Sequence, residues 1–409
     1  MELVFEAPTE AALSPLEEAI AEITLLRSER GSALVPVQTE IVERGRAIDM
    51  GAIEPGADLR LAVELRSATQ RLVGFGQSDL LDIAGDDSME VRIHLRRPLV
   101  YLSGASGLVA FDATREASDP GYRSAIEGFA QPLAVAATPD GTAVAVVSAS
   151  GESWSLGMLA TRDHSVVTQR PFDLALPPSD LAVSDDGRFA AVAHGGEGGG
   201  VSIVDLQAEG AAVTFVELGP VSRVVTAGSR AVAVVGGGGC AEPRPSQVMA
   251  IELASPAQTE LVGESPTPRV DLVARGDGAV IAAAPCDDQL ILLSAGRREP
   301  FAELTAASAV ALSGDRVWGV GTRVGDGASA PGRGLVMLAR SAQDGADSEV
   351  RLELAPSQVL VRTPDLSDPG DEASRQLAAD ALIAYDLAVL PGGDFVALLV
   401  RGDFFAEAQ

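Results

Sequence analysis

The sequence predicts an all-β fold, a six- or seven-bladed β-propeller preceded by a small β-sandwich. Three observations predict this fold class. The 409 residues include 43 glycines and 24 prolines, hydrophobic residues make up 46% of the chain, and one strand–turn–strand pattern recurs along it. Turn residues that interrupt short apolar runs every few positions are typical of many short strands and disfavour long helices.

The repeat is an apolar strand, a turn centred on glycine, and a second apolar strand. Its clearest copies are Leu133–Val147, around Gly141, and Leu181–Val192, around Gly187. Weaker copies surround four further glycines, Gly228, Gly278, Gly314 and Gly393. The first five of these glycines are 46, 41, 50 and 36 residues apart, and a mean of about 43 matches a four-stranded propeller blade. The longer gap before Gly393 predicts an insertion loop near residues 357–381.

Further strands follow each pair. A third strand such as Val201–Leu206 comes next, and in places a more polar fourth one such as Val213–Leu218. A sheet with two apolar faces buries both only by packing between neighbouring sheets, as propeller blades do. We therefore expect the propeller at residues 98–409. Before it, strand-length runs with polar alternation and Pro-Gly turns predict a β-sandwich domain at residues 1–97.

The segment Leu-Ala-Val-Ser-Asp-Asp-Gly at Leu181–Gly187, followed by Val-Ser-Ile-Val-Asp at Val201–Asp205, resembles the YVTN-type and WD-repeat-like bacterial β-propellers. The N-terminal region resembles an immunoglobulin-like or carboxypeptidase-regulatory-like sandwich. The first resemblance covers roughly residues 98–401. It implies an architecture, and with it a rigid binding or scaffold surface, but no particular chemistry.

The charge of the chain limits the classes of partner that it is expected to bind. Its 58 acidic and 30 basic residues give a formal charge of −28, and a field of this sign repels nucleic acid and anionic lipid. No apolar run approaches the ~18 residues that a membrane-spanning helix needs, so no transmembrane segment is predicted. We expect an unidentified protein or cell-envelope ligand as the partner.

Two cysteines follow the second strand of consecutive repeats at a similar offset, Cys240 and Cys286. Because equivalent positions in adjacent blades lie near one another, a disulfide between them is predicted. A disulfide implies an oxidising compartment, here the periplasm or the cell surface, with a processed lipoprotein as one form. Two free thiols in a cytoplasmic protein are the alternative.

The three histidines are scattered along the chain, at His94, His164 and His194. His194 opens a glycine-rich loop after a strand pair, where propellers often place ligand-binding residues, so it is a candidate binding residue. Packing is the ordinary alternative for all three. Isolated histidines do not suggest a metal site, and no cofactor is expected. The Asp-rich segment at residues 363–372 could offer oxygen ligands to Ca²⁺, and a solvated insertion is its alternative.

The leading functional hypothesis is a non-enzymatic, extracytoplasmic binding or scaffold protein. The alternative is a hydrolase or lactonase-like enzyme that uses carboxylates at the mouth of the propeller channel. Its candidate catalytic residues are Asp180, Asp271 and Asp386, which recur in register just before the first strands of their repeats. An aspartate that recurs in this way also commonly caps a turn.

Overall fold

A computed structural model describes 33 strands between Glu2 and Gly402 and most side chains between residues 55 and 321. The residues that it does not describe are 1, 7–19, 28–34, 44–47, 50–54, 67–71, 79–80, 85–88, 96–97, 105–106, 113–121, 139–140, 151–152, 162, 173–175, 209–212, 238–239, 241–243, 266, 268, 270, 276–277, 295, 314–315, 323–334, 342–349, 355–381, 390–395 and 403–409. The predicted insertion at 357–381 lies outside the described residues.

The chain divides into two compact units. The first contains Met1–Gly195, Ser202–Val216 and Thr226–Ser229, and the second contains Gly196–Val201, Glu217–Val225 and Arg230–Gln409. Strand pairing in the described sheets is antiparallel, except that β1 pairs with β8 in parallel. The strands before residue 98 belong to the first unit.

Two sheets precede residue 98. Their strands are β1 (Glu2–Glu6), β2 (Ile20–Arg27), β3 (Val35–Glu43), β4 (Ile48–Asp49), β5 (Gly56–Arg66), β6 (Leu72–Gln77), β7 (Leu81–Ile83) and β8 (Glu90–His94). One sheet has the order β4-β1-β8, and the other has the order β3-β2-β5-β6 with β7 also paired to β5. Alternate residues of β5, from Leu59 to Leu65, are buried, as are Val91 and Ile93 of β8. One face of each sheet is therefore apolar and covered.

Three consecutive sheets follow. Their strands are β9 (Leu99–Gly104), β10 (Gly107–Asp112), β11 (Arg123–Ile126), β12 (Pro132–Ala137), β13 (Ala143–Ser150), β14 (Ser153–Ala160), β15 (Val166–Phe172), β16 (Pro178–Val183), β17 (Phe189–His194), β18 (Gly200–Asp205) and β19 (Val213–Glu217). β9 to β11 form a three-stranded sheet, and the next eight strands form two four-stranded sheets. In each sheet the strands pair in chain order, which is the meander of a propeller blade.

The same meander continues to the end of the described chain. Its strands are β20 (Val221–Ala227), β21 (Arg230–Gly236), β22 (Ser246–Glu252), β23 (Thr259–Ser265), β24 (Asp271–Ala274), β25 (Val280–Ala284), β26 (Gln289–Ser294), β27 (Arg297–Glu303), β28 (Ala309–Ser313), β29 (Arg316–Thr322), β30 (Leu335–Ser341), β31 (Val350–Leu354), β32 (Leu382–Val389) and β33 (Val396–Gly402). β20 to β31 form three four-stranded sheets, and β32 pairs with β33.

The second strand of each four-stranded sheet is buried on both faces wherever its side chains are described. β17 and β25 carry almost unbroken runs of buried alanine, valine and isoleucine. The fourth strands are much more exposed, as β19 and β27 show. Burial on both faces requires cover on both sides of these strands, so the Ala- and Val-rich runs in the sequence indicate sheet-on-sheet packing.

Successive sheets share apolar cores within each unit. In the first unit, one cluster joins β9–β11 to the next sheet, and a second joins that sheet to β16–β19. In the second unit, corresponding clusters join β20–β23 to β24–β27 and β24–β27 to β28–β31. The predicted fold class is confirmed: the described elements are almost entirely β-strands, and four-stranded propeller-like sheets repeat after residue 98. The sandwich and the number of blades stay predictions.

Candidate functional site

Each four-stranded sheet has two ends, which we name by their connections. At the turn end the first strand turns into the second, as at Gly187. At the loop end the second strand leads into the third, as at residues 195–199, 237–245 and 285–288. The first strand starts at the loop end, because Pro178 pairs with His194 and Asp271 pairs with Ala283. The loop ends therefore collect most of the residues predicted from the sequence.

The two cysteines meet at the loop ends of adjacent sheets. Cys240 lies between β21 and β22, and Cys286 lies in a short 3-10 turn, Pro285–Asp287, between β25 and β26. Their Sγ atoms are 2.09 Å apart and their Cα atoms 5.4 Å apart, within the range of a disulfide. The structure thus brings together a disulfide-capable pair that ties two sheets of the second unit.

A group of charged side chains surrounds the residue after Cys286. One oxygen of Asp287, Oδ2, accepts hydrogen bonds from Thr267 Oγ1 at 2.8 Å, Arg269 Nη1 at 3.1 Å and Arg298 Nη2 at 2.8 Å. Thr267 and Arg269 belong to the connection between β23 and β24, so the carboxylate joins the same two sheets as the cysteine pair. We call Thr267, Arg269, Asp287 and Arg298 the arginine cluster.

Two members of the arginine cluster, Asp287 and Arg269, have shifted pKa values. Burial alone would raise the pKa of Asp287, but the hydrogen bonds from Thr267 and Arg269 outweigh it and hold this pKa below its usual range. Burial lowers the pKa of Arg269, whose side chain is 0% exposed. The guanidinium nonetheless stays charged, because an arginine pKa starts far above neutral pH.

Asp271 is buried at the first position of β24. Its Oδ2 accepts a hydrogen bond from the backbone N–H of Val310 in β28 at 2.8 Å, and its Oδ1 lies 3.5 Å from Arg223 Nε in β20. The carboxylate therefore links the first strands of three consecutive sheets. This position also corrects the predicted one, because Asp271 lies in its strand and not before it.

The other two candidate carboxylates also lie inside strands. Asp180 is the third residue of β16, where it is half-buried, and Asp386 is the fifth residue of β32. The strands begin earlier than predicted: β16 starts at Pro178 and has a register shift between Pro178 and Asp180. The side chain of Asp386 lies outside the described residues, so its position relative to the other two is not described.

His194 is the last residue of β17 and is 0% exposed. Its Nε2 lies 2.9 Å from Ser202 Oγ, and its ring makes an edge contact with Phe215. Burial lowers the pKa of the imidazole, against the effect of the backbone carbonyls of Leu176 and Pro177. Nδ1 is buried, and these carbonyls lie near the ring without making a hydrogen bond of normal geometry with it. His194 therefore contributes to packing at the loop end of its sheet, against Ser202 and Phe215.

The remaining candidates do not add to this site. His164 lies in the turn between β14 and β15 and makes an edge contact with Tyr101. His94 is the last residue of β8, and its side chain lies outside the described residues. The Asp-rich segment at 363–372 also lies outside them. In the part of the chain that the structure describes, no three His, Cys, Asp or Glu side chains come together as metal ligands.

The sequence did not single out the arginine cluster. Asp287 directly follows a predicted disulfide cysteine, and Arg269 stands two residues before a predicted catalytic aspartate. Those positions were the available signals. Their pairing depends on how two connections from different sheets meet, which the sequence pattern of one repeat does not encode.

Comparison with known proteins gives likenesses to solved structures only. No protein-family model matches the chain, and no curated protein matches it. Hydrazine synthase of Kuenenia stuttgartiensis is 14% identical over 69% of this chain and 76% of that one, with a TM-score of 0.46. The Cps50 (Swd1) β-propeller domain of Myceliophteria thermophila is 16% identical over 68% of this chain and 81% of that one, with a TM-score of 0.45.

TolB from Acinetobacter baumannii is 12% identical over 74% of this chain and 78% of that one, with a TM-score of 0.40. Values this low do not bear on what this chain binds or catalyses. Among the described residues there is also no helix of the length and apolar character that a membrane crossing requires.

Proposed function

We propose that this chain is a non-enzymatic binding or scaffold protein that works outside the cytoplasm, in the periplasm or at the cell surface. The observation that carries the proposal is the cysteine pair. Cys240 and Cys286 are the chain's two cysteines, and they lie at bonding distance between neighbouring sheets. Disulfides of this kind persist in oxidising compartments and are rare in the cytosol.

The proposed organisation is an accessory β-sandwich at residues 1–97 that precedes a propeller at residues 98–409. Support comes from the two separate sheets before residue 98, with β6 of one sheet against β8 of the other. Further support comes from the meander sheets after it. The propeller provides the rigid surface, and the sandwich is an accessory module.

The non-enzymatic part of the proposal rests on Asp271. A catalytic carboxylate needs a face open to its substrate, whereas this one is buried and engaged by Val310 N–H and by Arg223. Such contacts favour a structural role. No described contact favours the hydrolase alternative, so we do not propose it.

We place the binding surface at the loop end of the β16–β19 sheet. The loop between β17 and β18 exposes Gly196, Glu197 and Gly198. Loops held on a rigid sheet scaffold commonly carry binding residues, here for a protein or cell-envelope ligand. With a net charge of −28, a partner with a basic surface would associate fastest.

The thiol state in the native host tests the compartment. Cells are quenched with an alkylating agent, and the protein is digested without reduction and mapped by mass spectrometry. We expect a linked peptide pair that contains Cys240 and Cys286. Alkylated thiols at both positions would contradict an oxidising location.

Site-specific photo-cross-linking tests the binding surface. A photoreactive residue replaces Glu197 at the loop end or Gln207 at the opposite end of the same sheet, both of which are exposed. In intact host cells we expect a discrete cross-linked species from position 197 and none from position 207. Equal or absent cross-linking at the two positions would contradict the proposed surface.

A further inference from the structure

The three-stranded sheet β9–β11 corresponds to the last three strands of a four-stranded sheet. Its middle strand β10 begins with glycine and ends with aspartate, as the third strand β18 does. Ser103, near the end of β9, donates from Oγ to the carbonyl oxygen of Leu133, at the start of β12, at 3.3 Å. β9 therefore ends where β12 begins, at the loop end, and takes the place of a second strand.

One edge of β9 is open. β9 pairs with β10 along its whole length, and in the described part of the chain no strand pairs with its other edge. None of its six residues is buried, although Leu99–Leu102 is as apolar as the second strands. The second strand β17, which has a first strand beside it, is buried almost throughout. The open edge thus offers backbone N–H and C=O groups for pairing with another strand.

An exposed leucine lies beside this edge. Leu133 is 43% exposed, and its carbonyl oxygen is the one that Ser103 binds. First strands of adjacent sheets lie side by side: Thr226 Oγ1, in β20, donates to the carbonyl oxygen of Val183, in β16, at 2.7 Å. A strand added at the first-strand position next to β9 would therefore lie beside β12 and cover Leu133.

We propose that the open edge of β9 binds an extended segment of a partner protein by strand addition. The segment runs antiparallel to β9, as β12 runs antiparallel to β13. Backbone hydrogen bonds hold the segment, and apolar side chains at alternate positions cover Leu133. Because the chain carries a net charge of −28, basic residues on either side of the segment favour its association.

A segment from a partner suits this position because the described strands of the chain have places elsewhere. All 33 belong to sheets, and the last two, β32 and β33, pair with each other. The inference goes beyond the loop-end surface proposed above and does not rest on it. Free thiols in the native host, or failed cross-linking at position 197, would leave strand addition intact.

A synthetic peptide is the probe for the test. It carries the sequence of a first strand of the chain itself, β20 (Val221–Ala227), with two lysines at each end. Fluorescence anisotropy of the labelled peptide measures binding to the whole chain, and amide hydrogen exchange read by mass spectrometry locates it. We expect saturable binding and slower exchange in β9. With proline in place of its central valine the peptide lacks an N–H donor, so it should bind at least about tenfold more weakly.

Two leucine variants separate the β9 edge from general apolar binding. Leu133→Ser places at this position of β12 the residue type that β16 has there, Ser179, and should weaken peptide binding about tenfold by removing apolar surface. Leu261→Ser is the matched control, because that leucine of β23 is 45% exposed and should not affect binding. Both side chains are exposed, so both variants should fold.

Four outcomes would overturn the proposal. Exchange in β9 that the peptide does not slow, or an equal loss of affinity in the two leucine variants, would place the peptide elsewhere. Equal binding of the proline peptide would exclude strand pairing. Slow exchange along β9 without peptide would mean that the edge is already filled, by a second copy if the protection rises with protein concentration and by the chain itself if it does not.

Discussion

At the residue scale, the turn glycines occupy positions where the backbone conformation limits which residue type can stand. Gly187 and its counterparts in the repeat, Gly141, Gly228 and Gly278, all have a positive φ, between 56° and 83°. Residues with a Cβ are strained in this left-handed region. Backbone geometry thus accounts for glycine at these four turns of the repeat.

Substitution of Gly187 by alanine tests this requirement. The added Cβ would meet no atom within 4 Å, so the backbone alone determines the cost, and we expect a loss of about 1 kcal/mol in the free energy of unfolding. Gly104→Ala is the matched control, because that site is equally open and has no positive φ. Equal effects in the two variants, measured by chemical denaturation, would show that φ is not the cause.

His194 makes the stability of the chain depend on pH. Its pKa in the folded state is lowered, chiefly by burial, so the unfolded chain takes up a proton more readily. The stabilisation is complete above the unfolded pKa of about 6.5 and is lost as pH falls below that value toward the folded pKa. We expect the free energy of unfolding to fall between pH 7.5 and pH 5.5, and to fall less in His194→Gln.

Carboxylates also contribute to the pH dependence, so the difference between wild type and variant is the informative quantity. His164→Gln is a second variant for comparison, because burial lowers the pKa of that histidine as well. Parallel pH profiles for wild type and His194→Gln, from urea denaturation at each pH, would mean that His194 is not desolvated.

At the element scale, Asp271 holds the first strands of three sheets together. Asp271→Ala removes the acceptor of the Val310 N–H and the partner of Arg223. An unsatisfied buried donor is costly, as is the loss of an ion-pair contact in a buried position, and we expect a loss of about 2 kcal/mol or more. Asp271→Asn keeps an acceptor oxygen and should lose less. Chemical denaturation checks both, and a neutral Asp271→Ala would contradict the linking role.

The cysteine pair joins the loop ends of β20–β23 and β24–β27. Replacement of both Cys240 and Cys286 by serine should lower the free energy of unfolding by about 2–4 kcal/mol, because the unfolded chain regains the freedom of a long loop. Reduction of the wild type should have the same effect, and reductant should not change the double variant. Equal stability of oxidised and reduced wild type would argue against a bridge in solution.

Local patterns explain what could be predicted at this scale. A strand pair with a glycine turn is a contact between neighbours in sequence, so Leu181–Val192 predicted β16 and β17 well. The roles of Asp271 and Arg269 depend on partners in other sheets, Val310 and Asp287, which no local pattern specifies. The cysteines were the exception, because the repeat itself brings equivalent loops of adjacent sheets together.

At the scale of the whole molecule, the excess of carboxylates is the dominant property. The net charge is −28 at pH 7. The excess carboxylates repel one another in the compact state, and dissolved salt screens that repulsion. We therefore expect Tm to rise as sodium chloride is added from very low ionic strength toward about 0.15 M, where the Debye length falls to about 8 Å. A Tm that is flat or falls over this range, by scanning calorimetry, would contradict the expectation.

The cysteine pair also changes what a cut in the chain would do. Cys240 and Cys286 are 46 residues apart, and β22 to β25 lie between them. A protease that hydrolyses one peptide bond in this stretch would leave two fragments still joined through sulfur. The nicked protein would migrate as one band on a gel without reductant, and the damage would appear only after thiol treatment.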